Sequence, residues 1–359
     1  VFHSIFRAFI GYTVSDAPPI VCPIGYAISN LTGNVQVSRR SGRRELREQV
    51  DHLRQIPDGA HRAGPQEGGD VASVSLSGRV GGSPLNVALG LARLGHPTGL
   101  VACLGNDARG AAVREHLARG GVELDARPIA TTGTASARLD VHGAAEYAFD
   151  LAWAPGPIAL PPGTGHVHTG SLAAALDPGA ADVLRLLDEV RATGTVSFDP
   201  NVRPSITPDR TVVAERVAEV ARRADVVKAS AEDLAWLHPD RPEDAVVAEL
   251  LDTGPWLVVV TDAGAGVRWW TAAAPDSPGT RAARDVDVLD TVGAGDSFMA
   301  GLVSGLLDAG LLGAPRGSAH RGIGADDTRI VTAIERGLAT SAVTVSRAGA
   351  YAPVRTELS

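Results

Sequence analysis

The chain has 359 residues, 44% of them hydrophobic, enough to fill the core of one large α/β domain or two smaller ones. A formal net charge of -8 offers no general attraction to nucleic acid or to an anionic membrane, so a small molecule is the expected partner. Cys22 and Cys103 are the only cysteines and lie far apart in sequence, which supports neither a disulfide framework nor a zinc site. No run approaches the ~20 apolar residues that span a bilayer, and a cytoplasmic protein fits this composition.

The opening stretch "VFHSIFRAFIGY" is apolar, but Arg7 interrupts it and no small-residue cleavage site follows, so a signal peptide is not expected. Residues 1–70 read as irregular, with the arginine-rich "RRSGRRELREQVDHLR" as a solvated helix face or an arm. Organisation begins near residue 71 and continues to about 355. "VASVSLSG" alternates as a half-exposed strand does. "GGSPLNVALGLARLG" is a glycine loop entering a helix, with Pro84 in the first turn and Gly95 as the stop. "TGLVACLG" reads as a buried strand and "GAAVREHLARGG" as the next helix.

"SARLDVH" and "EYAFDLA" predict an antiparallel hairpin with one covered face. From "HVHTGSL" onward, short apolar runs at 196–199, 225–228 and 256–261 are separated by helical stretches such as "ADVLRLLDEVRA" and "DRTVVAERVAEVARR". This alternation predicts an α/β fold: a mostly parallel central sheet with helices on both faces. "TAAAPDSPGTRAA" and "GAPRGSAHRGIGADD" read as surface loops.

The chemistry concentrates at "DVDVLDTVGAGDSFMAGL", where "DVDVLD" alternates like a strand end and the rest enters a helix. Gly293, Ala294 and Gly295 then lie at a helix start, whose first amides have no intrahelical partner and favour an anion. Asp296 has two readings there: an ordinary first-turn acid, or a general base beside a bound phosphate. Asp290, Thr291 and the short turn favour the second.

"DTVGAGDSFMAGL" and "GGSPLNVALGLARLG" resemble the C-terminal and N-terminal signatures of the PfkB, or ribokinase-like, family of carbohydrate kinases. The resemblance covers about residues 71–350. "YAFDLAWAP", "HTGSLA", "FDPNVRP" and "VVKASAEDLAWL" are most similar to its fructokinase and 2-keto-3-deoxygluconate kinase branch. It implies a ribokinase-like domain with a small β lid from strands near 71–80 and 135–152. It also implies ATP-dependent phosphorylation of a sugar hydroxyl, with Mg²⁺ on the phosphates, a monovalent cation as a further cofactor, and a homodimer through the lid.

Carried over by position, the resemblance makes Asp296 the catalytic base and Gly293, Ala294 and Gly295 the anion hole. Gly81, Gly82 and Asn86 fall at sugar contacts; Asn86 is equally readable as a helix-start cap. Arg203, closing "SFDPNVRP" at a strand end, is the candidate clamp on phosphate or acceptor. In "VVKASAEDL", Ser230 and Asp233 stand at the family's Asn and Glu positions beside phosphate and Mg²⁺, with Asp233 on the metal side. Lys228, the only lysine, adds a flexible point charge to the nucleotide side. Thr261, Gly264 and Gly266 match the nucleotide loop, with Ala263 at its first glycine and Gly264 expected to relieve the turn. The family's first strand ends in a sugar-binding Asp. "VCPIGYAISN" offers Gly25 but Asn30, "LREQVDHLRQIPDG" offers Asp51, and distance to Gly81 favours Asp51. A sugar-binding protein without turnover is the alternative of a different class; the G-x-G-x-x-G unit of a dinucleotide-binding oxidoreductase is not found.

Overall fold

The computed structural model describes residues 20–23, 79–139, 145–315 and 322–358. Nine strands form the main sheet among them. In chain order these are β1 (Ile20–Pro23), β2 (Thr98–Leu104), β3 (Glu123–Pro128), β6 (His166–Gly170), β7 (Thr195–Asp199), β8 (Val226–Ser230), β9 (Leu257–Asp262), β10 (Gly266–Thr271) and β11 (Ala274–Arg281). Their spatial order is β11-β10-β9-β8-β7-β6-β1-β2-β3. All neighbours from β3 to β9 pair in parallel, and β10 and β11 add an antiparallel edge. β4 (Thr134–Leu139) and β5 (Ala145–Asp150) form a separate antiparallel pair, in register from Thr134 opposite Asp150 to Leu139 opposite Ala145.

The period-two alternation of the strands splits the core into two layers. Val226, Leu257 and Val259 face one cluster with α1 (Ser83–Arg93), α2 (Ala108–Arg119), α7 (Ala294–Asp308) and α8 (Thr328–Val345). Val227, Val258 and Val260 face the other with α3 (Gly179–Val190), α4 (Arg210–Ala221), α5 (Ala231–Leu237) and α6 (Glu243–Thr253). The α/β reading is therefore correct, with helices on both faces of a mostly parallel sheet.

Three expectations change. The slot between β2 and β6 is filled by Ile20–Pro23, with Ile20 and Val21 buried, so the central strand comes from "IVCP" and not from the stretch around Asp51. Asp51 itself, residues 71–78 and residues 316–321 lie outside the described residues. "APDSPGTR" is the edge strand β11 and not a loop; proline is tolerated on an edge that needs no second partner, and most of its residues are exposed. "DVDVLD" is not a strand. Val288 and Leu289 are 62% and 49% exposed, and the segment is held where the amides of Leu289 and Asp290 donate to the carbonyl of Val345 at the end of α8.

Candidate active site

The site gathers at the carboxyl ends of β6 to β9, where parallel strands leave their last carbonyls and the loops that follow. α7 begins there. Gly293 is its N-cap in the left-handed region at φ 79°, and a Cβ on it would stand 2.6 Å from that of Ala350. Asp290 secures this turn from both sides, accepting from the amides of Val292 at 3.0 Å and Gly349 at 2.7 Å. Behind it, the hydroxyl of Thr340 on α8 donates to the carbonyl of Ser297 at 2.7 Å. The first turn of α7 is thus held from the loop and from the neighbouring helix; the Ala294 amide donates to the Thr291 carbonyl at 3.2 Å, and the amides of Gly295 and Asp296 follow before the Ser297 amide closes the helix on Gly293 at 2.8 Å.

Asp296 sits in that turn and caps nothing. Its Oδ2 accepts from Asn86 Nδ2 at 2.7 Å, a contact spanning 210 positions in the sequence. Asn86 is likewise no cap: α1 starts at Gly82, φ 127°, without a side-chain cap, and the Asn86 amide closes the first helical bond to the Gly82 carbonyl at 2.9 Å. Small residues let the two helices meet, since a Cβ on Gly90 would stand 2.6 Å from that of Ala300. A Cβ on Gly81 would meet nothing within 4 Å, which leaves open space before α1. The two sequence signatures therefore touch through one hydrogen bond.

Across from them, Lys228 Nζ pairs with Asp199 Oδ2 at 3.0 Å, the side chains 5% and 2% exposed. Phe198 and Val227 are paired between β7 and β8, and the ion pair follows on the next residues of both strands. Burial pushes the Asp199 carboxyl up to about 6 against the pull of Lys228, with Asp233 and Asp296 adding to the rise. Burial alone would lower Lys228, but the carboxylates of Asp199, Asp233 and Asp296 together raise it, so the ammonium stays charged. Gly295 lies next to it: a Cβ there would be 3.2 Å from Lys228 Nζ. Asp199 was not among the site residues expected from sequence, although its place at a strand end beside the sole lysine's strand was a signal.

Asp233 is engaged by backbone. Its Oδ2 accepts from Ser230 N at 2.9 Å and Ser230 Oγ from Asp233 N at 3.0 Å, a reciprocal capping box at the start of α5. Its Oδ1 accepts from Val202 N at 2.8 Å, tying the loop after β7 to α5. Among the described residues no three His, Cys, Asp or Glu side chains converge as a metal cage. With one amide on each oxygen, the Asp233 carboxylate keeps lone pairs for the water shell of a Mg²⁺ carried on phosphates.

Arg203 is not brought to Asp296. It is exposed, and its Nη1 donates to the carbonyls of Val202 at 2.8 Å and Asn201 at 3.3 Å, on the side of a depression lined by Phe198 and Val213. Thr261 ends the β9 ladder, its hydroxyl donating to the Ala229 carbonyl at 3.4 Å. The tight turn of the loop expected on the nucleotide side falls on Ala263 itself, at φ 34°, and Gly264 does not relieve it. Gly266 carries φ 112°, and a Cβ there would stand 2.2 Å from the Arg281 carbonyl oxygen.

Beneath the ion pair lies a polar layer that sequence reading did not single out. His166 bonds Thr195 Oγ1 and Ser197 Oγ, both at 2.9 Å, and His168 Nδ1 bonds Ser197 Oγ at 3.0 Å, all fully buried. "HVH" and "TVS" on successive strands put them on one face by their period of two.

A helix start open to an anion, a carboxylate within it and a buried ammonium beside it define a phosphoryl-transfer site at the ends of parallel strands. The profile of the pfkB family carbohydrate kinases matches residues 60–357. A fructokinase of Rhizobium leguminosarum bv. trifolii is 32% identical over 234 residues, 63% of this chain and 71% of that protein. A 2-dehydro-3-deoxygluconokinase of Bacillus subtilis is 30% identical over 258 residues, 67% of this chain and 79% of that one. The crystal structure of a fructokinase with bound ATP from Xylella fastidiosa superposes with a TM-score of 0.73 at 25% identity, covering 95% of this chain and 96% of that one. The chain belongs to the pfkB family of carbohydrate kinases, with the ribokinase-like fold. It is an ATP-dependent sugar kinase.

Proposed function

We propose that the protein transfers the γ-phosphoryl group of ATP to a primary hydroxyl of fructose, with 2-keto-3-deoxygluconate as the next acceptor. The observation that carries this reading is the Asn86–Asp296 hydrogen bond, because it joins the helix expected on the sugar side to the carboxylate at the anion hole. Asp296 takes the proton of the attacking hydroxyl, and the turn of Gly293, Ala294 and Gly295 with the first amides of α7 faces the charge on the migrating phosphoryl. Gly81 and Gly82 leave the sugar room beside α1. Thr261, Gly264 and Gly266 form the floor of the nucleotide side, and Asp233 with Ser230 holds the loop after β7 in place. Arg203 joins as a clamp by releasing the carbonyls of Asn201 and Val202. Asp233 would hold Mg²⁺ through water, and the ion, carried on the phosphates, would supply neutralisation of their charge. The β4–β5 hairpin serves as the lid that keeps water from the phosphoryl group, and as the surface of a homodimer.

An ADP-release screen over sugars and sugar acids tests this, run on the wild type and on Asp296→Asn. Turnover is expected with fructose, and the substitution is expected to lower kcat by ~10²–10⁴-fold, the range for losing a general base. Unchanged turnover in Asp296→Asn would remove the base from the mechanism. Binding of nucleotide and sugar with no turnover on any acceptor would instead support the sugar-binding protein without chemistry.

A further inference from the structure

We propose that Lys228 is a catalytic residue of the transfer step, its ammonium bearing on the charge of the migrating phosphoryl, and that Asp199 is the residue that positions it. This rests on the phosphotransfer reading above and assigns a charge that the helix start alone does not supply.

Three observations converge. The ammonium lies 3.2 Å from where a Cβ on Gly295 would stand, so it and the leading amides of α7 face the same small volume. A side chain at 295 would press on it, and glycine leaves that volume to a ligand. Next, the pair with Asp199 is buried and fixed at 3.0 Å, while Asp199 Oδ1 also accepts from Asn201 N at 3.1 Å, which locks the carboxylate against rotation. Lys228 thus meets the site already oriented, with little rearrangement left for the moment of reaction. Finally, every other basic residue of the chain is arginine or histidine. A compact ammonium fits a gap beside a helix backbone where a planar guanidinium does not.

In the transfer, a lone pair of the sugar hydroxyl forms the new O–P bond to Pγ, and the bond from Pγ to the β,γ-bridging oxygen breaks. That electron pair leaves on the terminal phosphate of ADP, and the hydroxyl proton passes to Asp296. Lys228 neither gives nor takes a proton; its ammonium faces the equatorial oxygens, where charge spreads in the transition state. Asp199 keeps it from swinging onto Asp296, the carboxylate that must stay open to the hydroxyl.

A buried pair serving only to tie β7 to β8 would show the same distances, so the test must separate charge from packing. Lys228→Met alone leaves Asp199 buried and unpaired, which is destabilising in itself. The informative protein is Lys228→Met/Asp199→Asn, which removes both charges and keeps both shapes. It is expected to keep the melting midpoint within a few degrees and the affinity for ADP within about twofold, while kcat falls ~10²–10³-fold, the range for one lost charge-stabilising donor. Should the double variant fold poorly, Lys228→Gln, which still offers Asp199 a donor, carries the same comparison. A folded variant with wild-type kcat overturns the proposal and leaves the kinase reading intact. A wild type that turns over no acceptor overturns both.

Discussion

Asn86 shows how one residue can be legible in type while a partner 210 positions away is not. Its place four residues into α1 excludes it from capping, because its amide is already spent on the Gly82 carbonyl. Its side chain has one amide hydrogen on Asp296 and keeps a second hydrogen and a carbonyl for a ligand. In the proposed reaction Asn86 would orient Asp296 and reach the sugar with one group. Replacing it with the near-isosteric leucine removes a hydrogen bond to a carboxylate, worth about 1.5–3 kcal/mol. The expected result is a loss of roughly ten- to a hundredfold in kcat/KM for the sugar, with the KM for ATP unchanged in steady-state assays. Lys228 and Asp199 teach the same lesson: the residue types were visible, and the strand register that makes them a pair was not.

At the scale of elements, the turn into α7 is the part most fully written in sequence. Glycine at 293 is demanded twice over, by φ 79° and by Ala350. Gly293→Ala would pay about 1–2 kcal/mol for the left-handed backbone and about 1–3 kcal/mol for crowding. Chemical denaturation should show a loss of that order, and phosphoryl transfer should fall with it as the leading amides shift. Neighbouring elements were less legible. "DVDVLD" has the alternation of a strand, yet the edge beside β10 is already taken by β11, and the segment is caught instead by α8. "APDSPGTR" has the composition of a loop, and only the ladder offered by β10 makes it a strand.

The buried histidines act on the whole molecule. Burial lowers His96 to about 4, and it lowers His166 and His168 to about 3. Their neighbours act in different directions: Lys228 adds to the shift of His168, His168 and His96 add to that of His166, and at His96 Asp308 opposes the burial while Arg355 and Arg336 add to it. All three are held neutral in the fold while the unfolded chain takes up protons near pH 6.5. Their contribution is therefore present above pH 6.5 and is lost as pH falls toward 4 and below. Asp199 works the other way between about pH 6 and 4, where the fold holds a proton that the unfolded carboxylate has released, and it offsets one of the three. Denaturation midpoints should drop steadily from pH 7 to pH 4.5, and His168→Gln should flatten that slope by about one proton.

The two signatures, the parallel α/β alternation and the carboxylate at the helix start were determined by the sequence alone, because local periodicity and turn chemistry act over a few residues. Only the tertiary structure decided which N-terminal stretch is the central strand, that Asp296 meets Asn86, and that Lys228 meets Asp199. Each of these depends on register and helix approach between segments far apart in the chain, where no local rule operates. It also decided what the Asp233 carboxylate touches within the chain, since each of its oxygens accepts a backbone amide whose position the folded loop sets.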